Sequence, residues 1–199
     1  VPMLDALPLR VFGAVHALVL GGRAPGLAAF YPSTGGHFEA EGAFRALCEV
    51  CDAHRDELRD AAATLRVQTN EVQRSAVLVP GFLRVAARTG LPLRIREIGS
   101  SAGLNLFFDR HRYELGPHRF GDAAAPLVLA ARWDGAPPDL DATLRVASRR
   151  GCDVEPLDVR DPVHRLRLES FVWPEQLDRM ARLRAALEVA MREPPAIDA

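Results

Sequence analysis

Apolar residues recur at helical spacing through the first 90 positions and switch to strict alternation near residue 93. Val11, Val15 and Leu18 share one face of a helix opened by Pro8 and stopped by Gly21-Gly22. Residues 25–31 predict a short helical turn, closed by Pro32 and the loop Ser33-Thr34-Gly35-Gly36. A longer amphipathic helix follows. Phe44, Leu47, Cys48, Cys51 and Leu58 form its stripe, and Glu49, Asp52, Arg55, Asp56 and Arg59 face water. The next helix is predicted to start with Asn70 as its N-cap and Glu71 in its first turn. It should run to about Arg88, kinked at Pro80-Gly81, and end at Gly90.

The alternation Leu93-Arg94-Ile95-Arg96-Glu97-Ile98 predicts a strand, followed by a small-residue loop from Gly99 to Gly103 and a helical pattern over 102–110. Tyr113 to Leu115 and Leu127 to Trp133 suit the two strands of an inserted hairpin near 111–137, with Asp134-Gly135 as a turn. Leu144 to Ala147 and Cys152 to Val154 give a weaker strand signal. Asp161-Pro162 opens a helix carrying Val163, Leu166, Ser170 and Trp173 on one face. Pro174 interrupts it, and Leu177, Met180, Leu183, Leu187 and Ala190 carry it to about Met191, before a further strand at Ala196-Ile197. This order predicts an α/β protein. A helical N-terminal region, residues 1–92, leads into an incomplete Rossmann-like parallel sheet, residues 93–199.

Composition narrows the function classes. With 199 residues, 48% apolar and 26% charged, the chain is a globular protein of one large or two small domains. A net charge of −1 offers no field to gather nucleic acid or an anionic membrane. No apolar run reaches the roughly 20 residues of a membrane span. Three cysteines make a disulfide framework a poor reading, and the start VPMLDALPLR lacks a signal-peptide pattern, so a cytoplasmic protein is expected. The first residue, Val1, and the ending Ala196 to Ala199 suggest a fragment of a longer protein. All 25 basic residues are Arg, and Asn occurs only as Asn70 and Asn105.

The chemistry concentrates in Glu97-Ile98-Gly99-Ser100-Ser101-Ala102-Gly103-Leu104-Asn105-Leu106, a strand, a loop without bulky side chains and a helix start. Such a loop admits a ligand to the backbone, at the carboxyl end of a strand where open α/β sheets bind ligands. Ser101 stands where a dinucleotide motif needs its second glycine. The same residues satisfy G-x-S-x-G, which would make Ser101 the nucleophile of a serine hydrolase. A glycine turn that only packs a helix on a strand, in a non-catalytic binding or interaction protein, is the third reading. A second cluster, Gln68, Asn70, Glu71 and Arg74, converges on this loop. A helix over 71–88 is about 27 Å long and a strand over 93–99 about 23 Å. Joined by a short turn, they run antiparallel and return the helix start beside Gly99. Gln68, Asn70, Glu71 and Arg74 are therefore expected to line a pocket with Glu97 and Asn105.

Q-T-N-E-V-x-R at 68–74, E-I-G-x-S-A-G-L-N-L at 97–106, R-x-G-x-D-x-x-P-x-D ending at Asp158, and W-P-E-Q at 173–176 resemble a bacterial family of unknown function over essentially the whole chain. The acidic-x-Gly-x-x-x-Gly spacing resembles motif I of S-adenosylmethionine-dependent methyltransferases. That resemblance implies S-adenosylmethionine as cofactor, with Gly99 and Gly103 against its methionine part and Glu97 on its amino group. It also implies an acid for the ribose hydroxyls, for which Asp153 is the match. Ser100, Ser101 and Asn105 complete the expected cofactor set. The ligand class is a small molecule, and a fragment of this length is expected to be inactive. Gly103→Val is expected to abolish binding while the fold survives. No metal is expected: Cys48-x-x-Cys51-x-x-His54 reads as helix core, Trp173-Pro174 as a helix-joint anchor and Arg149-Arg150 as a solvated pair.

Overall fold

A computed structural model describes residues 6–136 and 138–199. Residues 1–5, on which part of the signal-peptide reading rests, and Pro137, the last residue of the expected insertion, lie outside the described residues. The chain forms two compact units interleaved in sequence. One comprises the chain up to Thr69 with Pro162–Ala181, and the other Asn70–Asp161 with Arg182–Ala199. Residues 70–92 thus group with the sheet rather than with the helices that precede them.

The first unit holds α1 (Leu7–Leu20), α2 (Pro25–Ala28), α3 (Ala40–Ala53), α4 (Arg55–Thr64) and α6 (Pro162–Ser170). Its core is Val15, Leu18 and Val19 with Leu27, Ala46, Val50 and Leu58. The expected single amphipathic helix is two helices that meet at His54. Glu39 caps α3 by accepting from the N–H groups of Glu41 and Gly42, both at 2.7 Å. A Cβ on Gly42 would stand 2.6 Å from Phe30 Cζ, so small residues set the close packing and the buried face becomes Ala43, Ala46 and Val50. The stripe is rotated by one residue from the expected one. Phe44 is 69% exposed and Cys48 is exposed, whereas Leu47 and Cys51 pack against the core, so only part of the cysteine motif lies on the packed face.

In the second unit, α5 (Ser75–Thr89) buries Ala76, Val79, Leu83 and Ala86 and continues through Pro80. It is preceded by a 3₁₀ turn over Val72–Arg74, with Glu71 as its N-cap accepting from Gln73 N–H at 3.1 Å. Asn70 is therefore not the cap. After Gly90, in the left-handed region, comes β1 (Leu93–Ile98). It pairs in parallel with β5 (Val146–Cys152), which pairs in parallel with β6 (Ile197–Asp198), in the order β1-β5-β6. Leu93, Ile95 and Glu97 point to the packed face, whereas Arg94, Arg96 and Ile98 are exposed. The class is α/β, with a three-stranded parallel sheet.

A second sheet holds β2 (Arg112–Leu115), β3 (His118–Phe120) and β4 (Val128–Ala131), ordered β3-β2-β4. The expected hairpin between 113–115 and 127–133 does not form. Gly116, at φ 57°, turns β2 straight into β3, so the nearest antiparallel partner wins and β4 joins the opposite edge in parallel. Tyr113, Leu115 and Leu129 are at most 1% exposed. The expected helix after the glycine loop is a seven-residue 3₁₀ segment, Leu104–Arg110, with non-helical Phe107 inside. α7 (Leu177–Arg192) runs along the chain from the first unit into the second. Among the described residues no helix is long and apolar enough to cross a membrane.

Candidate functional site

The end of β1 is shaped by three left-handed residues in five: Gly99 at φ 68°, Ser101 at 53° and Gly103 at 69°. Gly99 and Ser100 both donate their N–H to the Cys152 carbonyl, at 2.9 and 3.1 Å, which ties the loop to the end of β5. Ser100 is fully buried above Gly151, where a Cβ would collide with its Oγ. Asp153 braces the turn: Oδ2 accepts from Ser101 N–H at 2.8 Å and Oδ1 from Glu155 N–H at 3.0 Å. Gly103 N–H donates to the Ser100 carbonyl at 2.7 Å, and Leu104 N–H donates to Asn70 Oδ1 at 2.9 Å. The main-chain donors of this loop are largely used within the chain. With only a short 3₁₀ segment behind it, the loop lacks the free N–H cradle and dipole of a phosphate site.

The two flanking glycines differ. A Cβ on Gly103 would meet Pro195 Cγ at 3.0 Å and both Ile197 Cδ1 and Leu106 Cδ1 at 3.1 Å. Gly103 is thus packed against the protein's own side chains, so a side chain there is strained both by its positive φ and by these contacts, and Gly103→Val tests packing as well as binding. A Cβ on Gly99 would meet nothing within 4 Å. Gly99 is the position where the backbone lies open to a ligand.

Glu97 supplies the charge. Its carboxyl is half-buried, and Oε2 is buried with no hydrogen-bond partner. Asn105 hydrogen-bonds the carboxyl, and Asn105 is in turn oriented by Ser75, whose hydroxyl donates to its Oδ1 at 2.9 Å. Asn105 is 6% exposed and Ser75 fully buried. Burial pushes the Glu97 pKa up to about 7, against the opposing effects of the Asn105 hydrogen bond and the Arg74 charge.

The structure thus brings Asn70, Arg74, Ser100, Ser101, Asn105 and Asp153 together around Glu97 and Gly99. Glu71 bonds its local backbone, and Gln68, buried, belongs to the first unit. Ser75 was not legible as a site residue. Its signal is a hydroxyl at a helix start that turns out to carry no exposed surface. Arg149 is not solvated: it pairs with Asp109 at 2.7 and 3.0 Å, donates to the Leu106 carbonyl at 2.7 Å and lies over the Phe107 ring. It clamps the 3₁₀ segment to β5. Arg150 is exposed and pairs with Asp198. Among the described residues no cluster of three His, Cys, Asp or Glu side chains could hold a metal. The arrangement suits a ligand with a cationic or amino group for Glu97 and a backbone that lies along Gly99.

No curated protein and no solved structure matches the chain. A family model matches residues 1–199 in full, and the chain belongs to the bacterial family described as "Uncharacterized protein conserved in bacteria (DUF2332)".

Proposed function

We propose that the protein is methyltransferase-like and binds S-adenosylmethionine at the loop from Gly99 to Gly103. The observation that carries this reading is the buried, unpartnered Glu97 oxygen two residues before the open Gly99. The parallel order β6-β5-β1 supports it, because one half of a doubly wound sheet has that order, with its ligand at the strand carboxyl ends. The ligand's ammonium pairs with Glu97, Asn105 holds the carboxyl in place, and the methionine chain lies along Gly99. Asp153, though braced by two N–H groups, keeps lone pairs for the ribose hydroxyls.

Because free Glu97 is largely protonated below about pH 7, pairing with an ammonium releases a proton, and affinity rises as pH increases through that value. Calorimetry with S-adenosylhomocysteine at pH 6 and pH 8 should show tighter binding at pH 8, with the pH dependence absent in Glu97→Gln. No binding at either pH refutes the proposal.

One observation favours a second reading. Ser101 is a non-glycine residue at φ 53° in a strand–turn segment, the strained geometry of a nucleophile elbow. A serine-reactive phosphonate that labels Ser101 would select a hydrolase over the methyltransferase-like reading.

A further inference from the structure

Away from the glycine loop, the first unit holds a second polar arrangement. His16, on α1, is 2% exposed. Its Nδ1 lies 3.2 Å from the Ser170 carbonyl oxygen and its Nε2 lies 2.8 Å from Ser33 Oγ. A carbonyl oxygen can only accept, so Nδ1 carries the ring proton. Nε2 is then the bare nitrogen, and it accepts the hydroxyl proton of Ser33. The Ser170 carbonyl, at the end of α6, thereby fixes the tautomer in which His16 serves as base toward a serine.

A cavity of about 50 Å³ lies against the same imidazole, walled by Phe12, Tyr31, Phe171, Val172 and Trp173. The Tyr31 ring lies 5.5 Å from that of His16, tilted by 50°, and the Phe12 and Trp173 rings lie 6.3 Å apart. Phe12 is 42% and Trp173 38% exposed, so this aromatic pair forms a rim open to water. The cavity is small and mainly apolar; His16 and Ser170 also line it, and Ser33 stands outside the lining, joined to it through its bond to His16.

We infer that Ser33 and His16 form a nucleophile–base pair for acyl transfer from small, uncharged esters. Ser33 Oγ adds to the ester carbonyl as its proton passes to His16 Nε2. The bond to the alcohol oxygen then breaks, and the proton moves from Nε2 to that oxygen, releasing the alcohol and leaving an ester on Ser33. Water completes the cycle. It gives a proton to Nε2 and its oxygen to the acyl carbon, and the bond to Ser33 Oγ breaks as the proton returns to Oγ. This chemistry is independent of the Glu97 site.

The test uses the 199-residue chain, a fluorophosphonate probe with peptide mapping, and p-nitrophenyl acetate. The expected result is labelling at Ser33 and ester turnover that falls ~100-fold in Ser33→Ala, as loss of a base-activated nucleophile implies. His16→Gln should lower labelling to a similar degree. Since His16 is buried, Ser33→Cys gives a second readout that leaves the histidine in place. Its thiol, paired with imidazole, should react with iodoacetamide well below the usual thiol range near about 8.5. Absent labelling, labelling only at Ser101, ester turnover unchanged in Ser33→Ala, or an ordinary thiol profile in Ser33→Cys overturns the assignment.

Discussion

The two sheets of the second unit use short strands to opposite ends. In β3-β2-β4 the inward residues Tyr113, Leu115 and Leu129 are sealed from water, and the Tyr113 hydroxyl donates to the Phe108 carbonyl at 2.6 Å. In β1-β5-β6 the packed face of β1 ends in a carboxyl, and its other face leaves Arg94, Arg96 and Ile98 in solvent. Each neighbourhood also contains one buried ionisable group with unsatisfied atoms, Glu97 beside the parallel sheet and His111 at the entry to β2. They differ in their surroundings. Glu97 has an oriented amide, a nearby arginine and an open glycine, whereas both ring nitrogens of His111 lack a hydrogen-bond partner and the ring is 1% exposed. Burial pushes the His111 pKa down to about 4 and holds it neutral. Incomplete satisfaction alone does not make a site. It becomes one where a ligand can reach the group.

Substitutions can pull these roles apart. The largest effect falls on the sealed sheet: Leu129→Ala should cost about 2–5 kcal/mol in urea denaturation and leave ligand affinity of the folded protein unchanged. Next come the glycines. Gly103→Ala combines a positive φ with contacts at 3.0–3.1 Å and should cost about 2–4 kcal/mol. Gly99→Ala carries only the φ penalty, about 1–2 kcal/mol, yet should weaken S-adenosylhomocysteine binding. Equal affinity in Gly99→Ala and the parent chain would remove Gly99 from the ligand surface. Asn70→Ala leaves Leu104 N–H without its acceptor and should cost about 1–2 kcal/mol.

Two further effects appear only as a function of pH, and they have opposite signs. Glu97 has a folded-state pKa near 7, above its ordinary 4.5, so it contributes stability fully below pH 4.5 that is lost as pH rises to 7. His111 is depressed from 6.5 to about 4, so its contribution is present above pH 6.5 and is lost as pH falls through 4. Thermal melts of Glu97→Gln should therefore lose the decline toward pH 7, and those of His111→Leu the decline toward pH 4. Parallel Tm profiles in all three proteins would show that neither group titrates as its burial requires.

The sequence pattern carried some of this architecture and not the rest. The alternation at 93–98 and the Asp161-Pro162 helix start are local signals, and β1 and α6 appear where they point. Matched helix and strand lengths were enough to bring Asn70 to the loop, although Asn70 caps a loop N–H rather than its own helix. What was not legible depended on distant partners. The face of α3 is set by Phe30 over Gly42, and burial of Arg149 by Asp109, 40 residues away along the chain. The parallel placement of β4 followed from the turn at Gly116, which gave β2 a nearer antiparallel partner. The directions of Gly99 and Gly103 are identical in a motif and separable only once Pro195 and Ile197 are in place.

The Asp153 brace on Ser101 spans 52 residues of chain, as does the Ser100 bond to the Cys152 carbonyl. By contrast, β2 and β3 are joined through the turn at Gly116. Closing a long loop is an entropic cost that must be met before its contacts repay it. The hairpin can therefore form early in folding, while the ligand loop acquires its shape only after β5 has docked on β1. Under the proposed function, docking of β5 on β1 sets when the loop can bind, and a ligand held there would latch that long-range ladder closed.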